Sequence, residues 1–219
     1  MANAIILHRR RRAEVVVPGS QTFSGNGTFV VPYTTLYAVV LYGSAHKAGN
    51  GGDGGLNDSH IPGGGGGGGG GRSHSNFAVS CQCSLKKGEE ISVTVNENMV
   101  SLGSYASVAT GTAARNGSNG GNGRIPDREG YGGSGGAGEG KHTISVPGDY
   151  TTSGSDTGDS GQDGMDGYRT SGGYGGSGGN WGGGSGGRGA SDFDDRVNPG
   201  GEGVSAVLGK IEISWGGNT

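Results

Sequence analysis

Four aspartates, Asp156, Asp159, Asp163 and Asp166, crowd one glycine-rich stretch, and closely spaced carboxylates are the raw material of a calcium site. Their spacing matches neither the EF-hand loop nor the Gly-Gly-x-Gly-x-Asp repeat. They are expected to keep the exposed side of that stretch soluble, with weak cation binding as the other reading. No resident metal or organic cofactor is expected. Gly136-Ala-Gly-Glu-Gly-Lys-His142 approaches a phosphate-binding loop, but His142 stands where a hydroxyl residue must follow the lysine, and no helix is expected after it. The five histidines, His8, His46, His60, His74 and His142, are scattered among polar residues and are expected at the surface. Cys81 and Cys83 alternate with Phe77, Val79 and Leu85 onto one face, the pattern of strand core packing and not of a redox or metal pair. No catalytic constellation emerges, so the chain is not expected to be an enzyme.

What remains is recognition. Tyr150, Tyr168, Tyr174, Trp181 and Phe193 stand among glycine, serine and aspartate, a composition like that of antibody binding loops, in which aromatics anchor and small polar groups adapt. They are the receptor-binding candidates, although Tyr174 and Trp181, inside the 172–189 segment, read equally well as cover for it. Arg9, Arg10, Arg11 and Arg12 form a basic cluster. It is either a solvated face or a clamp onto an acidic neighbouring subunit or anionic surface. With a net charge of −3 and no further basic or aromatic stripe, nucleic acid is not expected as a partner.

The elements that must hold these residues are unusual. Residues 63 to 71 are nine consecutive glycines, and elsewhere glycine recurs at every third position: Gly117, Gly120, Gly123; Gly130, Gly133, Gly136; Gly158, Gly161, Gly164, Gly167; Gly173, Gly176, Gly179, Gly182. A flexible linker has no reason to keep a period. Three residues per turn is the period of the extended left-handed polyproline-II helix, which rises about 3.1 Å per residue and has no internal hydrogen bonds. Proline is scarce, at 6 residues, which argues against a collagen triple helix. The expectation is a bundle of separate glycine-lined helices bonded backbone to backbone. The Gly158–Gly167 helix, with one glycine face, belongs at an edge, and the all-glycine run belongs in the middle. At about 3.1 Å per residue, that run sets a slab depth of roughly 28 Å.

Only 29% of the 219 residues are hydrophobic and 56 are glycine. Composition alone would point to low complexity or disorder, but β-branched segments at both ends of the chain oppose that. Gly25-Asn26-Gly27 has the look of a hairpin turn between two strands. Leu36–Gly43 reads as a strand buried on both faces or nearly so. Ser75–Leu85 and Ile91–Val95 follow period two around a turn at 86–90, Ser101–Thr110 adds another strand, and 141–153 reads as a loop. Gly209–Trp215 is a clean alternating strand expected to return to the N-terminal sheet. The fold class is therefore all-β or irregular: a small antiparallel sheet framework with a packed polyglycine-II helix sandwich and essentially no α-helix. The expected divisions are an attachment arm at 1–18, a β-rich part with the first glycine segments at 19–115, glycine helices and loops at 116–208, and a closing strand at 209–219. No stretch approaches the ~18 apolar residues of a membrane span. The arginines follow the apolar residues Ala4–Leu7 instead of preceding them, so no secretory leader is expected.

Four segments occur in a telling order: Thr28-Phe-Val-Val-Pro32, an apolar strand ending in Tyr42-Gly43 before a glycine tract, Lys87-Gly-Glu-Glu-Ile-Ser-Val-Thr-Val95, and Gly209-Lys-Ile-Glu-Ile-Ser-Trp215. This order resembles the glycine-rich domain of bacteriophage tail-fibre and tail-tip proteins, over about residues 20–219. The glycine tracts are also similar to those of the distal adhesins of T-even-like phages. Asn96-Glu-Asn-Met99 stands where that family carries a further glycine tract. The resemblance implies a virion structural protein of the tail, a polyglycine-II sandwich, and loops that contact a host surface protein or polysaccharide during adsorption. It also implies other tail proteins as partners, with a homotrimer as one assembly it allows. A purely architectural tail-tip or capsid decoration protein remains the alternative. An ice-binding protein is a third reading, opposed by the charged Gly158–Gly167 stretch and the aromatic loops.

Overall fold

The alternating segments do pair, but in two layers. The computed structural model describes residues 14–55, 77–122, 130–166, 174–178 and 198–217. The Gly63–Gly71 run and its expected central position fall outside these residues, as do Arg9–Arg12, Tyr168, Trp181 and Phe193. Among the described residues there is no α-helix, and ten strands form two antiparallel sheets. They are β1 (Gly19–Phe23), β2 (Gly27–Val30), β3 (Thr35–Tyr42), β4 (Ala78–Leu85), β5 (Glu90–Val95), β6 (Met99–Leu102), β7 (Ala106–Ala109), β8 (Thr143–Ser145), β9 (Tyr150–Ser153) and β10 (Lys210–Trp215). The first sheet runs β1-β10-β3-β4-β9 and the second β2-β5-β6-β7-β8.

Side chains that alternate inward make one shared core. Tyr37, Val39 and Leu41 of β3, the 79–85 set of β4, and Ile211 and Ile213 of β10 meet Phe29, Ile91, Val93, Val95, Val100, Leu102 and Val108 of the other sheet. As the pattern predicts, Phe77, Val79, Cys81, Cys83 and Leu85 are buried together, and both cysteines are free thiols. A hydrogen bond with Cys81, reinforced by burial, pushes the Cys83 thiol up. The closing strand inserts between β1 and β3, with Ile213 opposite Val39. The turn at 86–90 is also found, with Gly88 at φ +81°. Positive φ there strains any side-chain-bearing residue.

Four expectations change. The Gly25–Gly27 turn does not close a hairpin, since β1 pairs with β10 and β2 with β5. The segment crosses from one sheet to the other, held by an Asn26 Oδ1 that accepts the Val95 amide at 2.8 Å, with Phe23 and Phe29 edge-to-face across the crossing. β3 is buried on one face only; Leu36, on the other, is 47% exposed. Ser101–Thr110 lies within a hairpin of two strands, β6 and β7, turned by Gly103 at φ +51°. The 141–153 loop supplies an edge strand to each sheet: β8 pairs with β7 and β9 with β4.

Among the described residues, the strands meet the glycine-rich segments at one end of this framework. Tyr42 faces both Ala78 and Lys210, Ser153 faces Ala78, and Ala109 faces Thr143. Among the described residues, six extended rods run outward from that end or back towards it, at 44–55, 112–122, 130–142, 156–166, 174–178 and 198–209. Their mutual hydrogen bonds recur every third residue. Ala48, Gly51 and Gly54 donate to Val204, Gly201 and Asn198; Gly117 and Gly120 to Asn50 and Asp53; Arg115, Ser118 and Gly121 to Ala137, Ser134 and Tyr131. Gly158, Gly161 and Gly164 donate to Glu139, Gly136 and Gly133, while Gln162 and Met165 donate to Ser177 and Tyr174. A β-ladder would engage alternate residues, whereas a recurrence of three matches the period expected of a threefold extended helix.

Glycine columns let the rods approach. A methyl group on Gly49 or Gly136 would overlap the Arg115 carbonyl, and on Gly132, Gly135 or Gly138 the carbonyls of Gly164, Gly161 or Gly158. One glycine per contact is enough. That is why the 156–166 rod, expected at an edge for its single glycine face, has neighbours on two sides: Gly176 supplies the clearance against Gln162.

Candidate binding site

Chain direction fixes which described residues of each rod lie farthest from the framework. The rods join the strands near residues 42, 109, 142, 154 and 209, so among the described residues those farthest along the rods from the framework are Gly55, Asn122, Gly130, Asp166, Tyr174 and Asn198. From Gly130 to His142 the reach is roughly 37 Å at about 3.1 Å per residue. At these outer ends Tyr131, Met165 and Tyr174 are 67%, 63% and 62% exposed. They occupy three successive rods at one level. Tyr131 precedes Gly132, whose amide donates to Asp166 Oδ1 at 2.7 Å, and the Met165 amide donates to the Tyr174 carbonyl at 2.8 Å.

The aromatic candidates of the sequence therefore divide. Tyr174 is at the outer end and exposed. Tyr150 opens β9 opposite Cys81, on the sheet framework and away from the outer end; it borders a shallow groove with Leu36, Ser80, Gln82 and Asp149. The structure does not bring these two together. Sequence reasoning missed Tyr131 and Met165. The available signal was a large apolar residue inside a threefold glycine tract, where it can only point away from the glycine columns.

The aspartates serve the lattice. Asp163 and Asp166 accept the amides of Gly135 and Gly132, each at 2.7 Å, and Asp156 accepts that of His142 at 3.0 Å. This corrects the expectation that all four act only as solubilising groups, since only Asp159 is without such a role among these bonds and is exposed. The same arrangement recurs on other rods. Asn50 and Asp53 accept the amides of Gly203 and Gly200, and Asn116 and Asn119 accept those of Asn50 and Asp53. In Asn50, Asp53, Asn116, Asn119 and Asp163 the following glycine donates its own amide to a carbonyl of that same neighbouring rod. Each such Asx-Gly pair is a two-bond staple. It satisfies amides that a threefold helix cannot satisfy internally.

His142 is buried, not at the surface. Its Nδ1 lies 3.0 Å from Asp156 Oδ1, its Nε2 lies 3.0 Å from the Ser44 carbonyl, and its ring stacks on Phe77 at 4.5 Å. A Cβ on Gly43 would come within 2.8 Å of that ring. The Ser44 hydroxyl donates to the Asn96 carbonyl and accepts from the Gly209 amide. Buried Glu139 accepts the His46 amide at 2.9 Å. These bonds tie rod residues to the framework, so the cluster forms a joint between them. His46 is half-buried, and His8, His60 and His74 lie outside the described residues. Among the described residues no three His, Cys, Asp or Glu side chains converge as a metal site.

Compared with known proteins, the chain matches no family model and no curated protein sequence.

Proposed function

We propose that this chain is a bacteriophage tail protein that displays a receptor-contacting surface at the outer ends of a polyglycine-II lattice. The observation that carries the reading is polarity. Exposed Tyr131, Met165 and Tyr174 share one extremity, whereas the chain segments at 14–19 and 215–217 lie at the far end of the framework, where Gly19 pairs with Trp215. One end is built to be mounted and the other to be presented. The backbone of each rod is bonded to its neighbours at every turn, so aromatic anchors at its end lose little entropy on contact. The partner is a protein or polysaccharide of a bacterial envelope, and the mount is another tail protein reached through the region preceding β1, where Arg9–Arg12 supply charge.

Purified protein applied to a panel of bacterial cells tests this directly. Binding to a susceptible strain should fall by at least about tenfold in a Tyr131→Ser/Tyr174→Ser variant, the usual scale for losing aromatic anchors. Tyr150→Ser should leave it unchanged. Full binding by the double variant would remove the outer-end surface from the mechanism, and failure to bind any strain would favour a purely architectural role.

A further inference from the structure

Three of the staples are Asn-Gly dipeptides: Asn50-Gly51, Asn116-Gly117 and Asn119-Gly120. Asn-Gly is the dipeptide most prone to lose ammonia. The glycine backbone nitrogen attacks the asparagine Cγ, the C–N bond to the side-chain nitrogen breaks, and ammonia leaves a five-membered succinimide. Water then opens that ring to aspartate or isoaspartate, so the net change is one water consumed and one ammonia released. Ring closure needs two freedoms: the glycine amide must be able to leave its partner, and the asparagine side chain must be able to swing towards it.

The lattice withholds both. The attacking nitrogens of Gly51, Gly117 and Gly120 donate to the carbonyls of Gly201, Asn50 and Asp53 at 2.8–2.9 Å. The Oδ1 atoms of Asn50, Asn116 and Asn119 accept the amides of Gly203, Asn50 and Asp53 at 2.9–3.0 Å. Each closure must therefore break two hydrogen bonds to a neighbouring rod. We infer that Asn50, Asn116 and Asn119 are latent sites of covalent modification by deamidation, held silent by the packed rods and released when the rods part. The isoaspartate product adds a methylene to the main chain. An added backbone atom shifts every later glycine out of its column, so a lattice modified at these sites does not close again. Separation of the rods thereby becomes irreversible.

The test is peptide mapping by mass spectrometry after incubation of the full chain at 37 °C and mildly alkaline pH, with and without denaturing urea. Amide exchange of Gly51, Gly117 and Gly120 is followed in parallel. Native protein should convert Asn50, Asn116 and Asn119 about ten- to thirtyfold more slowly than the urea-unfolded chain, the population effect of opening two ordinary hydrogen bonds. The slowing at each site should rank with the exchange protection of the glycine that follows it. Equal rates in the two conditions, or slowing that does not rank with that protection, would overturn the inference.

Discussion

The framework and the rods solve one problem, burying a main chain away from water, with opposite materials. In the framework, period-two alternation sends Tyr37, Val39, Leu41, Ile211 and Ile213 into a shared apolar interior, and main-chain groups are satisfied along β-ladders as a by-product. In the rods there is almost no apolar interior. Glycine stands where one rod's carbonyls come close to another rod, and the hydrogen bonds are the packing. Removing atoms should therefore harm the first region, and adding them should harm the second.

The largest expected effect is on the framework side. Leu41→Ala removes a fully buried side chain near the end of β3, and should lower stability by about 2–5 kcal/mol in urea denaturation. Gly136→Ala tests the opposite sign of change. The added methyl meets main-chain atoms of Arg115 and Asn116, which cannot rotate away, so a loss of about 1–3 kcal/mol is expected. Gly25→Ala is its control: no heavy atom lies within 4 Å of where its methyl would sit, and the same measurement should show almost no change. If Gly136→Ala were as harmless as Gly25→Ala, the close contact of rods would be wrong.

A smaller effect belongs to the staples. Asp163→Ala orphans the Gly135 amide at an exposed site and should lower rod stability by about 1 kcal/mol, with amide exchange at Gly135 accelerated. Asp163→Asn keeps the accepting oxygen and should restore both.

The smallest is electrostatic. A hydrogen bond from Lys210, aided by one from the Tyr42 hydroxyl, holds the Glu212 carboxyl below its ordinary value of 4.5. A depressed value in the folded chain means that this stabilisation is complete above 4.5 and fades as pH falls through the lower folded value. Wild type should therefore lose slightly more stability than Glu212→Gln on acidification through that window, as read by thermal midpoints. The pair is solvent-exposed, which keeps the difference small.

The two regions also differed in how far their sequences could be read. Alternation alone located β4, β5 and β10, and the threefold glycine spacing anticipated the recurrence of hydrogen bonds between rods. Strands β8 and β9 escaped because three or four residues, Thr143–Ser145 and Tyr150–Ser153, are too few to display a period and bury little. Gly25-Asn26-Gly27 carries the chemistry of a hairpin turn, yet a turn residue does not dictate which strands its neighbours join. The partners of β1 and β2 were decided by Ile211, Ile213 and Ile91, far away in sequence. The role of the aspartates was legible in principle. Asn50/Asp53, Asn116/Asn119 and Asp163/Asp166 keep the same spacing of three as the glycines, and a merely solubilising charge has no reason to do so. His142 was hidden because its partners, Ser44 and Asp156, come from different excursions.

The position of β10 has a consequence for biosynthesis. The strand that occupies the interior of the first sheet, between β1 and β3, is translated after the six described rods. A nascent chain can thus lay down β3 and β4 early, but β1 has no place to dock until residues 210–215 emerge, and such long-range pairing is slow. The ribosome delivers this keystone after the rods, so the glycine-rich stretches must wait for it, and their low content of apolar side chains limits what they can stick to meanwhile.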